Sequence, residues 1–147
     1  MELDSINLAI IKQLQDGRIP FKKIADSLGL AEGTVRARVK RLQEEGVLSL
    51  TALVNPESLP DISMAMIGVR LKEMDLVGQG ERFTELKGVI NVCVVTGRFD
   101  LMLTVQLSKE FTLLRFYTEE MRRIDTIRSV ETFVVYKSFN LHVPLLV

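Results

Sequence analysis

Between Gly33 and Gln43 the chain carries four basic residues, Arg36, Arg38, Lys40 and Arg41, and no acidic one. Cations in such a run suit phosphate oxygens and guanine edges better than bond-breaking chemistry. Drawn as an α-helix, the segment puts Val35, Val39 and Leu42 on one narrow apolar stripe. The opposite face is centred on Gly33 and Ala37, with Arg36 and Lys40 on one flank and Thr34 and Arg41 on the other. Small residues at the centre let a helix approach the floor of a major groove, while the flanking cations reach the backbone or base edges. The same charges would also suit a plain solvated face, so the surrounding elements must decide.

Other chemistry is scarce. There is one cysteine, Cys93, and one histidine, His142. That pair cannot supply the usual zinc-ligand set, and it excludes an intrachain disulfide. Nucleophile–histidine chemistry would rest on His142 alone, near the C-terminus. Cys93 lies within Val92-Cys93-Val94-Val95 and is expected to be a small buried hydrophobe. No catalytic residue, metal or cofactor is expected.

Three helices must position the basic segment. Leu3, Ile6, Ile10 and Leu14 recur at helical spacing, with Asp4 or Ser5 as cap and Gly17 as stop. Leu8 and Ile11 lie off that stripe, which suggests a second buried face. Phe21, Ile24, Ala25 and Leu28 mark a second helix between Pro20 and Gly29. The third runs from about Glu32 to Glu45 and closes at Gly46. Two short helices joined across a tight Gly-containing turn form a helix-turn-helix signature. Val47 to Val54 reads as extended, a wing or a strand leading onward.

The composition breaks at Asn55-Pro56-Glu57-Ser58-Leu59-Pro60-Asp61, which reads as a linker. The expected division is therefore a DNA-binding domain over 1–54, a linker over 55–61 and a second domain over 62–147. That second domain reads β-α-β-β-α-β. Strands are expected over 62–72, 89–96, 101–107 and 130–139, and helices over 76–86 and 110–123. The predicted fold class is α+β, a helix-turn-helix followed by a ferredoxin-like domain. In the first strand Ala65, Ile67, Val69 and Leu71 share one face, and in the last helix Leu114, Tyr117, Met121 and Ile124 share one stripe. Two helices cover one sheet face and leave the other bare. Met64, Met66, Met102, Phe133, Val135 and Phe139 or their alternates would make that bare face apolar, a liability on a monomer. Burial against a second subunit is expected.

Formal net charge is zero, so the argument for nucleic acid rests on local distribution. Hydrophobic residues make up 47% of the 147 residues, enough to build a core. No apolar run nears the roughly 18 residues that cross a bilayer. Met1-Glu2-Leu3-Asp4 lacks a signal peptide's basic start, so a cytoplasmic protein without membrane partners is expected.

The first half resembles the DNA-binding domain of the Lrp/AsnC (leucine-responsive, feast/famine) regulators. The matching stretches are Leu3-Asp4, Leu14-Gln15-Asp16-Gly17-Arg18-Ile19, Ile24-Ala25-Asp26-Ser27-Leu28-Gly29-Leu30, and the run from Gly33 to Leu48. The second half resembles that family's effector-sensing domain, through Val95-Thr96-Gly97-Arg98-Phe99-Asp100-Leu101 and Ile127 to Val135. The resemblance implies a DNA-binding transcriptional regulator that assembles as a homodimer or higher homo-oligomer and responds to a small molecule, commonly an amino acid. It places the effector near the loop between the second and third strands, here Gly97, Arg98, Phe99, Asp100 and Leu101, together with Thr132. Arg98 or Asp100 would pair with the ligand's carboxylate or ammonium. The DNA-contacting set is Lys22, Lys23, Glu32, Gly33, Thr34, Arg36, Ala37, Arg38, Lys40 and Arg41. Dimers would present two recognition helices to double-stranded DNA, one helical turn apart on a near-palindrome.

Three positions depart from the family pattern. Ala31 stands where a capping Ser is usual, at a cost of about 1 kcal/mol that Glu32 offsets in part through the helix dipole. Asn7 replaces a common Asp, and Leu48-Ser49-Leu50 lacks a frequent Gly-Tyr. Two other readings remain: an architectural DNA binder without effector, and an enzyme like the sirohaem decarboxylases. The latter rely on histidines near the sensing cleft, whereas His142 lies outside the matching motifs.

Overall fold

The computed structural model describes residues 3–146. It divides into two compact units, 1–51 and 52–147.

The first unit holds α1 (Ser5–Gln13), α2 (Phe21–Leu28) and α3 (Glu32–Glu44). Asp4 caps α1, its carboxylate accepting from Asn7 N at 2.7 Å. Gly29 ends α2 at φ +66, a conformation that costs glycine nothing. Ile10, Leu14, Ile24, Ala25, Val35 and Val39 form the core, with Ile6, Phe21 and Leu28 packed against it. Of the expected α1 stripe, Leu3 is exposed: it precedes the cap and gains no helical direction. No wing forms. After Gly46 the N–H groups of Val47 and Leu48 both turn back to Leu42 O, and Leu48 packs against the helical core. A wing needs a second strand, and none is adjacent.

The second unit opens with β1 (Leu53–Val54), which pairs with β6 (Val143–Pro144). Residues 53 and 54, expected with the DNA-binding domain, are thus bonded to the chain's end. The expected linker is also ordered, as a short 3₁₀ turn at Pro56–Ser58 with Pro56 buried. The Glu57 carboxylate accepts from Lys137 Nζ, from Ser138 N at 2.5 Å and from Ser138 Oγ at 2.9 Å.

The main sheet has the order β3-β4-β2-β5, antiparallel throughout, from β2 (Ile62–Leu71), β3 (Val89–Val94), β4 (Leu101–Ser108) and β5 (Ile127–Val134). α4 (Leu76–Thr84) and α5 (113–123) complete the βαββαβ plan. The alternation in β2 and β4 holds: Ala65, Ile67, Val69, Leu71, Leu101, Leu103, Val105 and Leu107 are all buried with Phe83 and Phe116. β5 lies earlier than the expected 130–139. It follows β2 only as far as Val135 N to Met64 O, after which Glu57 holds residues 137 and 138.

α5 begins at Leu113 with Thr112 as cap, not at Glu110, and contains a π-helical turn over Phe116–Glu120. Phe116 and Met121 both enter the core, while Leu114 is 72% exposed. Five residues span about 140° on an α-helix but little more than one turn of the wider π-helix. The π turn therefore exchanges Leu114 for Phe116 in the stripe.

Met66 and Phe133 are exposed on the bare sheet face, as expected. Met64 is buried within the protomer. Its cross-strand neighbour Gln106 donates to Pro144 O and accepts from Leu146 N at 2.8 Å, which ties the C-terminal segment beside it. Val135 and Phe139 lie beyond β5. Cys93 is exposed, contrary to expectation, because β3 is an edge strand and its side chain shares the bare face with Met102. Among the described residues no helix is long and apolar enough to cross a membrane.

The Glu57 latch yields a signed pH prediction. Hydrogen bonds from Lys137 and Ser138 lower its pKa from 4.5 to about 2. A depressed carboxylate stabilises fully above the unfolded value and loses that contribution as pH falls toward the folded one. Thermal melts of wild type and Glu57→Gln should therefore differ above pH 4.5 and converge as the pH approaches 2. A constant gap across that window would mean the carboxylate charge plays no part.

Candidate nucleic-acid and ligand sites

α3 presents the face that its sequence implies. Val35, Val39 and Leu42 are buried, while Gly33, Thr34, Arg36, Ala37, Lys40 and Arg41 are exposed. A Cβ at Gly33 would meet nothing within 4 Å, so the helix backbone there is open to approach. Lys22 and Lys23 are exposed on α2. Ala31 provides no side-chain cap, and Glu32 stands in the first turn.

The α3 cations are not idle in the free chain. Arg36 Nη2 meets Glu32 Oε1 at 2.7 Å and its guanidinium stands 5.3 Å from the centre of the Phe21 ring. Arg41 Nε meets Glu45 Oε1 at 2.7 Å, and Lys40 lies 3.6 Å from Glu44. The Arg41 hydrogen bond lowers the Glu45 pKa. These are exposed i,i+4 pairs, individually weak and open to exchange for phosphate.

Arg38 is different. Its Nη1 donates to Asp4 Oδ2 at 2.7 Å and to Asn7 Oδ1 at 2.9 Å. Asn7 is buried. Arg38 thus ties α3 to α1 while still lining one surface hollow with Gly33, Thr34, Ala37 and Arg41. The Asp4 pKa is lowered, first by the Asn7 backbone N–H and then by Arg38. Arg38→Ala should cost about 1–3 kcal/mol, because the buried Asn7 oxygen loses its donor. Urea denaturation would measure it, and a loss below a few tenths would show that water replaces the guanidinium.

The 97–100 loop is built around β2. Asp100 N donates to Val69 O at 2.9 Å, and the Asp100 carboxylate accepts from Leu71 N at 2.8 Å, where the β2–β5 register shifts. Phe99 folds over Gly68, where a Cβ would come within 2.6 Å of the ring, and meets Phe133 edge-on at 6.2 Å. Arg98 Nη2 pairs with Glu131 Oε2 at 2.7 Å. Gly97 adopts φ +121, which favours glycine.

The remaining two expected residues lie elsewhere. Leu101 is fully buried in the core. Thr132 pairs with core-facing Ile67 and bonds Tyr117 OH at 2.5 Å, so it lies on the helix side of the sheet. Arg98, Phe99 and Glu131 lie on the opposite side. One strand's alternation separates Thr132 from Glu131. Glu131 was missed by the sequence reading, although its adjacency to Thr132 and its charge were visible. His142 is exposed in the C-terminal segment, its Nδ1 3.4 Å from Asn140 O.

A three-helix unit with an exposed basic third helix, joined to a βαββαβ unit with a bare face, defines a helix-turn-helix transcriptional regulator with a ligand-binding domain. The AsnC-type helix-turn-helix domain matches residues 3–43, and the Lrp/AsnC ligand-binding domain matches residues 64–145. A helix-turn-helix-type transcriptional regulator of Pyrococcus horikoshii is 36% identical over 137 residues, covering 92% of this chain and 87% of that one. The chain belongs to the Lrp/AsnC family of transcriptional regulators. Two solved structures share the fold at lower identity. The feast or famine regulatory protein of M. tuberculosis complexed with L-methionine has a TM-score of 0.70 and 23% identity, covering 97% of this chain and 100% of that one. A Neisseria meningitidis transcriptional regulator in complex with L-Met has a TM-score of 0.69 and 20% identity, covering 98% and 96%.

Proposed function

We propose that this regulator binds a near-palindromic DNA site as a homodimer, through the exposed face of α3, and that an amino acid acting at the 97–100 loop changes its assembly or DNA affinity. The observation that carries the DNA part is the open Gly33–Ala37 face between exchangeable cations, Arg36 and Lys40 on one flank and Arg41 on the other. The methionine complexes of two structural neighbours support an amino-acid effector. At the loop, the Arg98 side chain is 74% exposed, so its bridge to Glu131 can be exchanged for a ligand carboxylate. Asp100 is committed to the Leu71 backbone and serves to hold the loop.

Selection from a randomised duplex pool, read by sequencing and fluorescence anisotropy, tests the DNA reading. An enriched near-palindrome is expected. Binding without enrichment would favour an architectural role. Isothermal titration with the amino acids then tests the effector: heat lost in Arg98→Ala supports the loop, and no heat with any of them removes that half of the proposal.

A further inference from the structure

We infer that the C-terminal segment of this protein works as a clasp on the tether of the DNA-binding unit, with Gln106 as the positioning residue that keeps the clasp shut. The inference rests on the dimer reading above and adds to it the residues that decide which spacing of paired half-sites is accepted.

Two anchors fix the length of chain that joins the two units. On one side Leu48 packs on the helical core, with its N–H turned back to Leu42 O. On the other, β1 pairs with β6, Leu53 opposite Pro144 and Val54 opposite Val143. Residues 49–52 lie between these anchors and, fully extended, span at most roughly 14 Å. Behind β1 stands a further anchor. Asn55 Oδ1 accepts from Glu57 N at 3.0 Å, Pro56 is buried, and Glu57 holds Lys137 and Ser138. Once β1 leaves β6, the free chain therefore lengthens to residues 49–55 and no further, a span of roughly 25 Å. The gain is about 10 Å for each protomer, close to the rise of three base pairs.

The β1–β6 ladder is two residues long, and Pro144 has no N–H with which to extend it. So short a pairing is marginal in water, and Gln106 supplies what it lacks. The Gln106 amide donates to Pro144 O at 3.3 Å and accepts from Leu146 N at 2.8 Å. Gln106 is 3% exposed, so water competes poorly for either bond. Its own backbone N–H is fixed to Gly88 O at 2.7 Å within the main sheet, which makes it a firm post. Removing the amide takes both bonds from the clasp, while the Glu57 latch and the sheet keep their own contacts. The clasp is thus separable from the fold. A dimer on a near-palindrome must set two recognition helices on half-sites whose separation is counted in base pairs, and each added pair also turns a half-site by about 35°. A short tether tolerates few such steps, whereas a longer one absorbs both the distance and the turn.

The test uses the full chain and the paired half-sites that it selects, rebuilt as duplexes whose spacing is changed in single base-pair steps. Wild type should lose affinity by about tenfold or more within three steps of its optimum, because a tether that cannot span two sites forfeits the second contact. In Gln106→Leu the same profile should flatten to within about threefold, with affinity for a single half-site unchanged. Deleting 142–147, which removes β6 outright, should flatten it equally. Hydrogen exchange at the Val54 amide should quicken in both variants, while the Ile67 and Val105 amides of the main sheet stay protected. The converse is a lock. Val54→Cys/Val143→Cys in a Cys93→Ser background joins a cross-strand pair at a separation that suits a disulfide. Oxidised and combined with Gln106→Leu, the lock should restore the sharp profile, and dithiothreitol should flatten it again. A profile that stays sharp although the Val54 amide exchanges faster, or that stays flat under the closed lock, would overturn the clasp and leave the DNA reading standing. Unchanged exchange at Val54 in Gln106→Leu would overturn the part given to Gln106. Selection of no paired half-sites by wild type would take down the dimer reading and the clasp with it.

Discussion

The double substitution Arg36→Ala/Arg41→Ala is expected to lower operator affinity by on the order of a thousandfold or more. Each good side-chain bond to a base edge is worth about 1–3 kcal/mol, and a dimer on two half-sites loses both residues twice. A partner left behind adds to the effect. In the free chain Arg36 pairs with Glu32 and Arg41 with Glu45, each at 2.7 Å. Once the Arg36 guanidinium is gone, the Glu32 carboxylate on the first turn of α3 keeps a charge that Arg36 no longer offsets. Salt titration would separate phosphate neutralisation from base reading. If the two arginines reach phosphates, the slope of log K against log salt should fall by about 0.9 for every phosphate that is no longer neutralised. If they read bases, selectivity should relax while the slope holds. Retained affinity in the double variant would move the DNA surface off α3.

Phe116→Ala should destabilise the second unit by about 3–5 kcal/mol, the range for deleting a buried aromatic ring. Phe116 is fully buried and meets Phe111 and Tyr117 edge-on, with centroids 6.3 and 6.1 Å away. Its place depends on the π-helical turn that follows it, so the damage is not confined to a cavity. Tyr117 bonds Thr132 on β5, and a relaxed turn would weaken that tie as well. Denaturant unfolding of the full chain checks the value. Leu114→Ala is the contrast: a straight α-helix would bury that side chain, but here it is largely exposed and should cost well under 1 kcal/mol. Equal destabilisation by the two would mean the helix is regular in solution.

Much of this fold was legible in the residue order because the signals are local. Helical period, the Asp4 cap and the Gly29 and Gly46 stops act within one or two turns, and the α3 geometry follows from 3.6 residues per turn. Strand alternation in β2 and β4 likewise sorts core from surface without knowledge of the partner strand. Those signals sufficed for the helix-turn-helix, the βαββαβ order and the exposed α3 face.

What the tertiary structure decided are pairings across long sequence separations. Arg38 reads as one more cation of the basic run, yet it is drawn to Asp4 and Asn7, thirty-four and thirty-one residues away. Glu57 reads as part of a linker, yet it grips Lys137 and Ser138 and so sets where β5 ends. Thr132 and the 97–100 loop share a family motif set, but strand pairing puts them on opposite faces. Gln106 reads as one more polar position of β4, yet its amide ties down Pro144 and Leu146, thirty-eight and forty residues away. Local propensity acts through neighbours in sequence, whereas a carboxylate or a guanidinium takes the partner that packing brings within reach, and only the folded chain specifies that partner.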